Sequence, residues 1–404
     1  MIEEDAPKDI AVDDAADDTA GATPPAEESL RHFTADFDVA GIVRRMNDGN
    51  FTVPNFDPPP VSGTGYAGFQ RNYIWTKKQK DRFIESLLLG YPVPGIFLVE
   101  EPGRKYLVLD GQQRLKTLQD FINGTDSQTE RVFRLQFVGD ETPYSKRSFA
   151  ELTEFEQNLL QNTFIQVTVV VPKVSGNLQG VYQLFERINS GGTNLQPQEI
   201  RIALYAGTRV DALRQLNADK NWRSIFGPPH SRLKDTELIL RYLAFREVAI
   251  GYGTAGWERD APKEALDAKT GAVESQQVYR APVNQFLNSY LESLGPEGCP
   301  TDEAMQAFPH VCAVLAPLGK MALRLDDSAQ INAAHTDAIL ATLSLHPKVA
   351  NGMRDPQAVS RRVAELLAVL EADAAYTTAV RESTSHLASV HRRLQLAHQA
   401  FQAL

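Results

Sequence analysis

Five consecutive residues carry most of the chemistry legible in this chain: Asp110, Gly111, Gln112, Gln113 and Arg114. They stand inside YLVLDGQQRLKTLQDFING (Tyr106–Gly124), where an apolar run gives way to helical spacing. A helix that opens directly after a strand leaves its first backbone N–H groups without internal partners, at the positive end of the dipole. Such an end can hold an anion such as phosphate. Gly111 lets backbone approach closely, Gln112 and Gln113 offer amide donors and acceptors, and Arg114 offers a planar fork that suits phosphate oxygens. Asp110 is the odd member. A carboxylate repels a bare phosphate, so it is better suited to orienting water, holding Mg²⁺, or bonding a sugar hydroxyl or base edge. The same spacing also allows an ordinary capped helix, with Asp110 as N-cap and Arg114 on the surface.

Two further segments bear on the choice. In GFQRNYIW (68–75), Gln70 and Arg71 again pair an amide with a guanidinium, and Trp75 is expected to anchor the loop in the core. In FERINSGGTNLQPQEIR (185–201), Arg187 and Asn189 precede a Gly-Gly pair and stand where they could reach a shared pocket.

The elements that must position these residues follow from periodicity. From about 35 to 205 the pattern mixes strands and helices. FTVPNF (51–56), GIFLVEE, KYLVLD, FRLQFV (133–138) and FIQVTVVV (164–171) read as strands. TKKQKDRFIESLLLG reads as a helix with Thr76 as N-cap, Gly90 just past its end, and Phe83, Ile84, Leu87 and Leu88 in one stripe. LKTLQDFI, TEFEQNLLQN and LQGVYQLFERIN are helices, and Pro197 marks the first position of another. From about 210 onward nearly everything carries i, i+3/i+4, i+7 apolar spacing. There is no fixed repeat period, which argues against a solenoid.

Composition sets the outer bounds. The chain has 404 residues, 43% apolar, and a net charge of -10. Residues 1–30 hold ten acids against one base, so nearly all of that charge sits in an Ala- and Pro-rich stretch without apolar period. Residues 1–34 are read as a disordered acidic tail. A body near neutrality exerts no global field on DNA. Local basic runs lie at Lys77, Lys78, Lys80 and Arg82, and at Arg223, His230, Arg232 and Lys234, with Trp222 beside the second run as a candidate base-stacking ring. Met-Ile-Glu-Glu-Asp opens without the basic and apolar regions of a signal peptide, and no apolar run approaches the roughly 20 residues that span a bilayer. A cytoplasmic protein is expected. Cys299 and Cys312 are expected to be free thiols, because with His310 they lack the paired spacing of a zinc site.

Taken in order, FQRNYIW, SLLLGYPVPGIFLVEE, LVLDGQQRLKTL, FERINSGGTNLQPQEIR and LKDTELILRYLAF resemble the domain-of-unknown-function family 262, the N-terminal domain of GmrSD-type modification-dependent restriction enzymes and of related phage-defence proteins. The resemblance runs over about 35–400. It implies an α+β, ParB/sulfiredoxin-like core over 35–207 followed by an all-α domain over 208–404. It also implies a nucleotide site with Asp110, Gln113 and Arg114 in catalytic roles and Gln70, Arg71, Gly111, Gln112, Arg187 and Asn189 as nucleotide-binding residues. The implied cofactor is a nucleoside triphosphate with Mg²⁺. The implied partners are DNA, modified DNA included, a separate effector nuclease or toxin, and further copies of the chain; no membrane is implied. Many defence members end in an HNH nickase. Here His386, His391 and His398 lie on helical pattern and are expected to face solvent. Two functions stay open: an NTPase that gates restriction, and a non-catalytic nucleotide- or DNA-binding regulator of a partner.

Deleting residues 1–30 is expected to leave the fold intact. If the tail masks a basic groove, the truncated protein binds DNA more tightly at ~50 mM salt; unchanged binding reduces the tail to a solubility device.

Overall fold

The fold was obtained as a computed structural model, which describes residues 12–13, 30–53, 75–138, 142–173, 178–188, 196–255, 257, 279–295, 297–325, 330–352 and 356–404. The chain divides into two units. One comprises residues 25–195; the other comprises residues 196–404 together with the N-terminal residues, through a short parallel pairing of Val12–Asp13 with Ile331–Asn332.

The first unit is built on a five-stranded mixed sheet. Its strands along the chain are β1 (Leu30–Asp38), β2 (Phe51–Thr52), β3 (Ile96–Glu101), β4 (Lys105–Asp110) and β5 (Phe164–Pro172). Across the sheet they run β1–β5–β3–β4–β2. β1 pairs antiparallel with β5, β3 parallel with β5, and β4 antiparallel with β3. The unit also holds helices α1 (Val39–Asn47), α2 (Lys77–Leu88), α3 (Gln112–Asn123), α4 (Glu154–Gln161) and α5 (Gln179–Ile188). The core brings apolar residues of three helices onto the sheet: Ile42 and Val43 of α1, Ile84 and Leu87 of α2, Leu115 and Leu118 of α3, with Leu98, Val108, Val167 and Val169. Thr76 caps α2 as its spacing predicts, in a capping box with Gln79.

Three expectations are corrected. Val12 and Asp13, inside the segment read as disordered tail, form a strand paired with Ile331 and Asn332. The sheet begins at Leu30, inside the segment read as tail, because Phe33, Ala35 and Phe37 alternate and the strand pairs with β5 along all nine residues. Residues 133–138, expected as a strand, are irregular. Their amides find other partners: Phe133 N donates to the Gly124 carbonyl (3.0 Å) and Leu135 N to that of Arg147 (3.0 Å). Gln136 N and Phe137 N donate to Asp81 Oδ2 at 2.8 and 3.0 Å. A buried carboxylate on α2 thus replaces a neighbouring strand as acceptor.

The second unit is helical, as periodicity predicts: α6 (Pro197–Leu204), α7 (Thr208–Asn217), α8 (Lys220–Phe226), α9 (Lys234–Ala255), α10 (Val283–Leu294), α11 (Asp302–Leu315), α12 (Ala333–Leu343), α13 (Pro347–Ala350), α14 (Pro356–Ala372), α15 (Ala374–Arg381) and α16 (Leu387–Phe401). Every residue of α12 is buried, so it forms the centre, with α9 and α16 packed on it. Its one carboxylate, Asp337, takes both ends of the Arg241 fork (2.8 and 2.7 Å) and a third bond from Arg393 (3.1 Å). Pro197 stands at the start of α6, where Arg201 is fully buried and bonds Asn288, Asn284 and Gln198.

His335 of α12 is wholly buried, with Nδ1 at 2.9 Å from the Tyr376 hydroxyl and no partner for Nε2 among the described residues. Burial disfavours the imidazolium and pushes its pKa down to about 4, from 6.5. Between those values the unfolded chain binds more protons than the folded one, so stability present above about pH 6.5 is lost as the pH falls toward 4, by up to about 3 kcal/mol. Urea unfolding across that window is expected to show a shallower loss for His335→Gln than for the wild type; parallel curves would remove His335 as the cause.

Candidate functional site

The DGQQR residues sit where β4 ends and α3 begins. The pairing of β3 with β4 slips by one residue there: Leu98 faces Val108 but Phe97 faces Asp110, so Leu109 is the extra residue of a bulge. A bulge bends its strand and re-aims the side chain that follows, here Asp110. Gly111 then turns the chain with φ +92° and ψ 9°, a left-handed conformation that favours glycine. The same residue lies against Ile96, where a Cβ would stand 2.9 Å from Cγ1. Gly111 itself is the N-cap of α3 and, having no side chain, makes no side-chain cap bond. The capped-helix reading with Asp110 as N-cap is therefore corrected. Leu115 N closes the first helical bond to the Gly111 carbonyl (2.9 Å), so the N–H groups before it have no intrahelical partner.

Arg114 is buried, not on the surface, with only 9% of its area exposed. Its Nη1 donates to the carbonyls of Pro94 (2.5 Å) and Gly95 (2.8 Å), and its Nη2 donates to Asp110 Oδ2 (2.6 Å). The Asp110 side chain is 46% exposed, so the pair has one buried and one accessible end. Gln113 Oε1 accepts from the backbone N–H of Trp75 at 3.2 Å. Trp75 packs edge-on against Phe83 (5.4 Å) and joins the core, as expected. Gln112 Nε2 donates to the Val108 carbonyl at 3.4 Å. The motif thus ties together the start of β3, the end of β4 and Trp75, just before the α2 cap.

Of the other expected site residues, Arg187 is exposed on α5, which packs on β4 and β5. Gln70, Arg71 and Asn189 lie outside the described residues. Pro94, Gly95 and Ile96, which hold Arg114 and Gly111, were missed. The signal was the Pro-Gly step before an apolar run, where close backbone approach is common.

The basic runs serve mainly structural ends. Lys80 is buried on Asp126 (3.1 Å) and Gln128 (2.8 Å), and Lys77 bonds Asp81 and the Arg134 carbonyl. Arg223 pairs with Asp235 (3.0 Å) and Arg232 with Glu199 (3.3 Å). Trp222 is fully buried between Phe226 and Phe308, so it is no stacking platform for a base. His386 is exposed, but His391 and His398 pack on Tyr252 (4.7 Å) and Trp257 (4.6 Å), contrary to the solvent-facing expectation. Among the described residues no helix is long and apolar enough to cross a membrane, and no group of three or more His, Cys, Asp or Glu could hold a metal ion.

Residues 42–206 match the family described as GmrSD restriction endonuclease, N-terminal domain. The match contains Asp110–Arg114 and Arg187. No curated protein matches the chain.

Gly111→Ala is expected to cost more than the ~1 kcal/mol of a left-handed alanine, because the new methyl also meets Ile96. A total of about 2–3 kcal/mol is expected from urea unfolding. A loss under ~1 kcal/mol would show that the turn relaxes freely.

Proposed function

We propose that the GmrSD-type domain binds a nucleoside triphosphate at the start of α3 and hydrolyses it, and that turnover gates restriction or anti-phage activity exerted on DNA, either by a separate effector or through further copies of the chain. The observation that carries this reading is the α3 N-terminus, left without a side-chain cap beside a half-exposed carboxylate. The N–H groups of a first turn, which have no intrahelical partner, suit phosphate oxygens. A lone carboxylate about 4 Å from a phosphate charge costs about 4 kcal/mol at an effective dielectric of 20, and Arg114 supplies the offsetting cation.

In this reading water attacks the terminal phosphorus, its proton passes to Asp110, and the bond from that phosphorus to the bridging oxygen breaks to leave the nucleoside diphosphate and inorganic phosphate. Mg²⁺ commonly binds through one or two carboxylates plus substrate phosphates. Asp110 fits a metal that arrives with the nucleotide, which would neutralise phosphate charge. Gln112 and Gln113 flank the same turn, and Arg187, Gln70, Arg71 and Asn189 are proposed to complete the pocket from their own segments. The family match favours DNA as the macromolecular partner.

Phosphate release from the purified protein with ATP, GTP and CTP, with and without DNA, tests the reading. Asp110→Asn should retain nucleotide binding and lose about a hundredfold in turnover if the carboxylate acts as general base. Full activity in that variant removes Asp110 from the chemistry. Nucleotide binding with no turnover in the wild type would instead support a non-catalytic regulator of a partner protein.

A further inference from the structure

We propose that Arg114 is a positioning residue that holds the Asp110 carboxylate, and not a ligand of the nucleotide phosphates. The proposal rests on the hydrolysis reading above and assigns a different job to the residue whose type most invites a phosphate.

A guanidinium has five N–H donors in a fixed fork. Arg114 makes three bonds with that fork: two to the carbonyls of Pro94 and Gly95 and one to Asp110 Oδ2. To turn its Nη1 toward a phosphate it would abandon two backbone carbonyls beside the core, and unmade bonds there are costly. The carbonyls themselves are fixed in place. A Cβ at Gly95 would lie 3.0 Å from the Gln166 carbonyl on β5, so this backbone is packed against the neighbouring strand. On the other side Ile96 is packed against Gly111. The anchor therefore cannot follow the arginine outward.

The accessible end of the pair is the acid. Asp110 follows the bulge at Leu109, precedes a left-handed glycine, and has a half-exposed side chain. The bond that restrains its carboxylate comes from Arg114, one helical turn on. Asp110 lies outside the helix, yet Arg114 Nη2 reaches it at 2.6 Å, and the planar fork supplies direction as well as charge. One oxygen is held, and the carboxyl plane is set with it. A lysine could not reproduce this, because a single ammonium cannot span the two carbonyls and the acid with fork geometry.

A double-mutant cycle tests the assignment. Asp110→Asn, Arg114→Ala, Arg114→Lys and the Asp110→Asn/Arg114→Ala double variant are compared for kcat and KM in phosphate release from whichever triphosphate the wild type turns over. If Arg114 works through Asp110, Arg114→Ala loses roughly ten- to a hundredfold in kcat with KM within about threefold, and the double variant is no slower than Asp110→Asn alone. Arg114→Lys is expected to show the same split without rescue, and supplies the answer if the alanine variant does not fold. A KM raised about tenfold or more in Arg114→Ala or Arg114→Lys, with losses that multiply in the double variant, would make Arg114 a phosphate ligand and overturn the proposal. No phosphate release by the wild type sinks the hydrolysis reading and the proposal with it. Release with a raised KM sinks the proposal alone.

Discussion

The guanidinium of Arg114 ties three pieces of backbone that the chain delivers separately. It holds the carbonyls that lead into β3, the acid that ends β4, and, through its own helix, the start of α3. Without that bond a bulged strand end and a left-handed glycine would meet with little to orient them. Gln113 extends the same logic to Trp75, just before the α2 cap. The motif is therefore a junction first, and the chemistry proposed for it depends on the junction being rigid. This is the usual requirement of a site that must hold groups to within a fraction of an ångström.

The same economy of buried polar groups recurs elsewhere. Asp81 replaces a neighbouring strand for residues 136 and 137, Asp337 gathers two arginines at the centre of the helical unit, and Arg201 binds three side chains across α6 and α10. A buried ion pair adds little net stability when weighed against an apolar substitute, but breaking one leaves an uncompensated charge and costs several kcal/mol. These contacts specify which segments lie together more than they strengthen the fold.

That economy has a consequence for nucleic-acid recognition. Several cations of the two basic runs are engaged by carboxylates of the chain, and the aromatic ring beside the second is buried. The electrostatic contribution to DNA binding falls as phosphate-contacting cations are withdrawn. A DNA surface on this protein must draw on other groups, such as the exposed Lys78 and Arg82 of α2.

Much of the architecture is legible in the amino-acid order alone. The helix of residues 77–88 with its Thr76 cap, the strand–turn–strand into Asp110, β5, and the helical second half all follow from periods of 3.6 and 2 and from capping residues, which are local properties. The composition and order of the DGQQR segment also point to the strand–helix junction by themselves. Three things are not local and were decided by tertiary structure. Residues 133–138 have strand-like composition, but a strand needs a neighbour, and a carboxylate from α2 took that place. Trp222 and Lys80 look like surface groups on their own helices and are buried because other elements fold over them. The role of Arg114 turned on two carbonyls about twenty residues upstream. No spacing rule reaches a contact made by strand pairing, so a sequence can show that an arginine is poised for an anion, while only the packed sheet shows which acceptors already hold it.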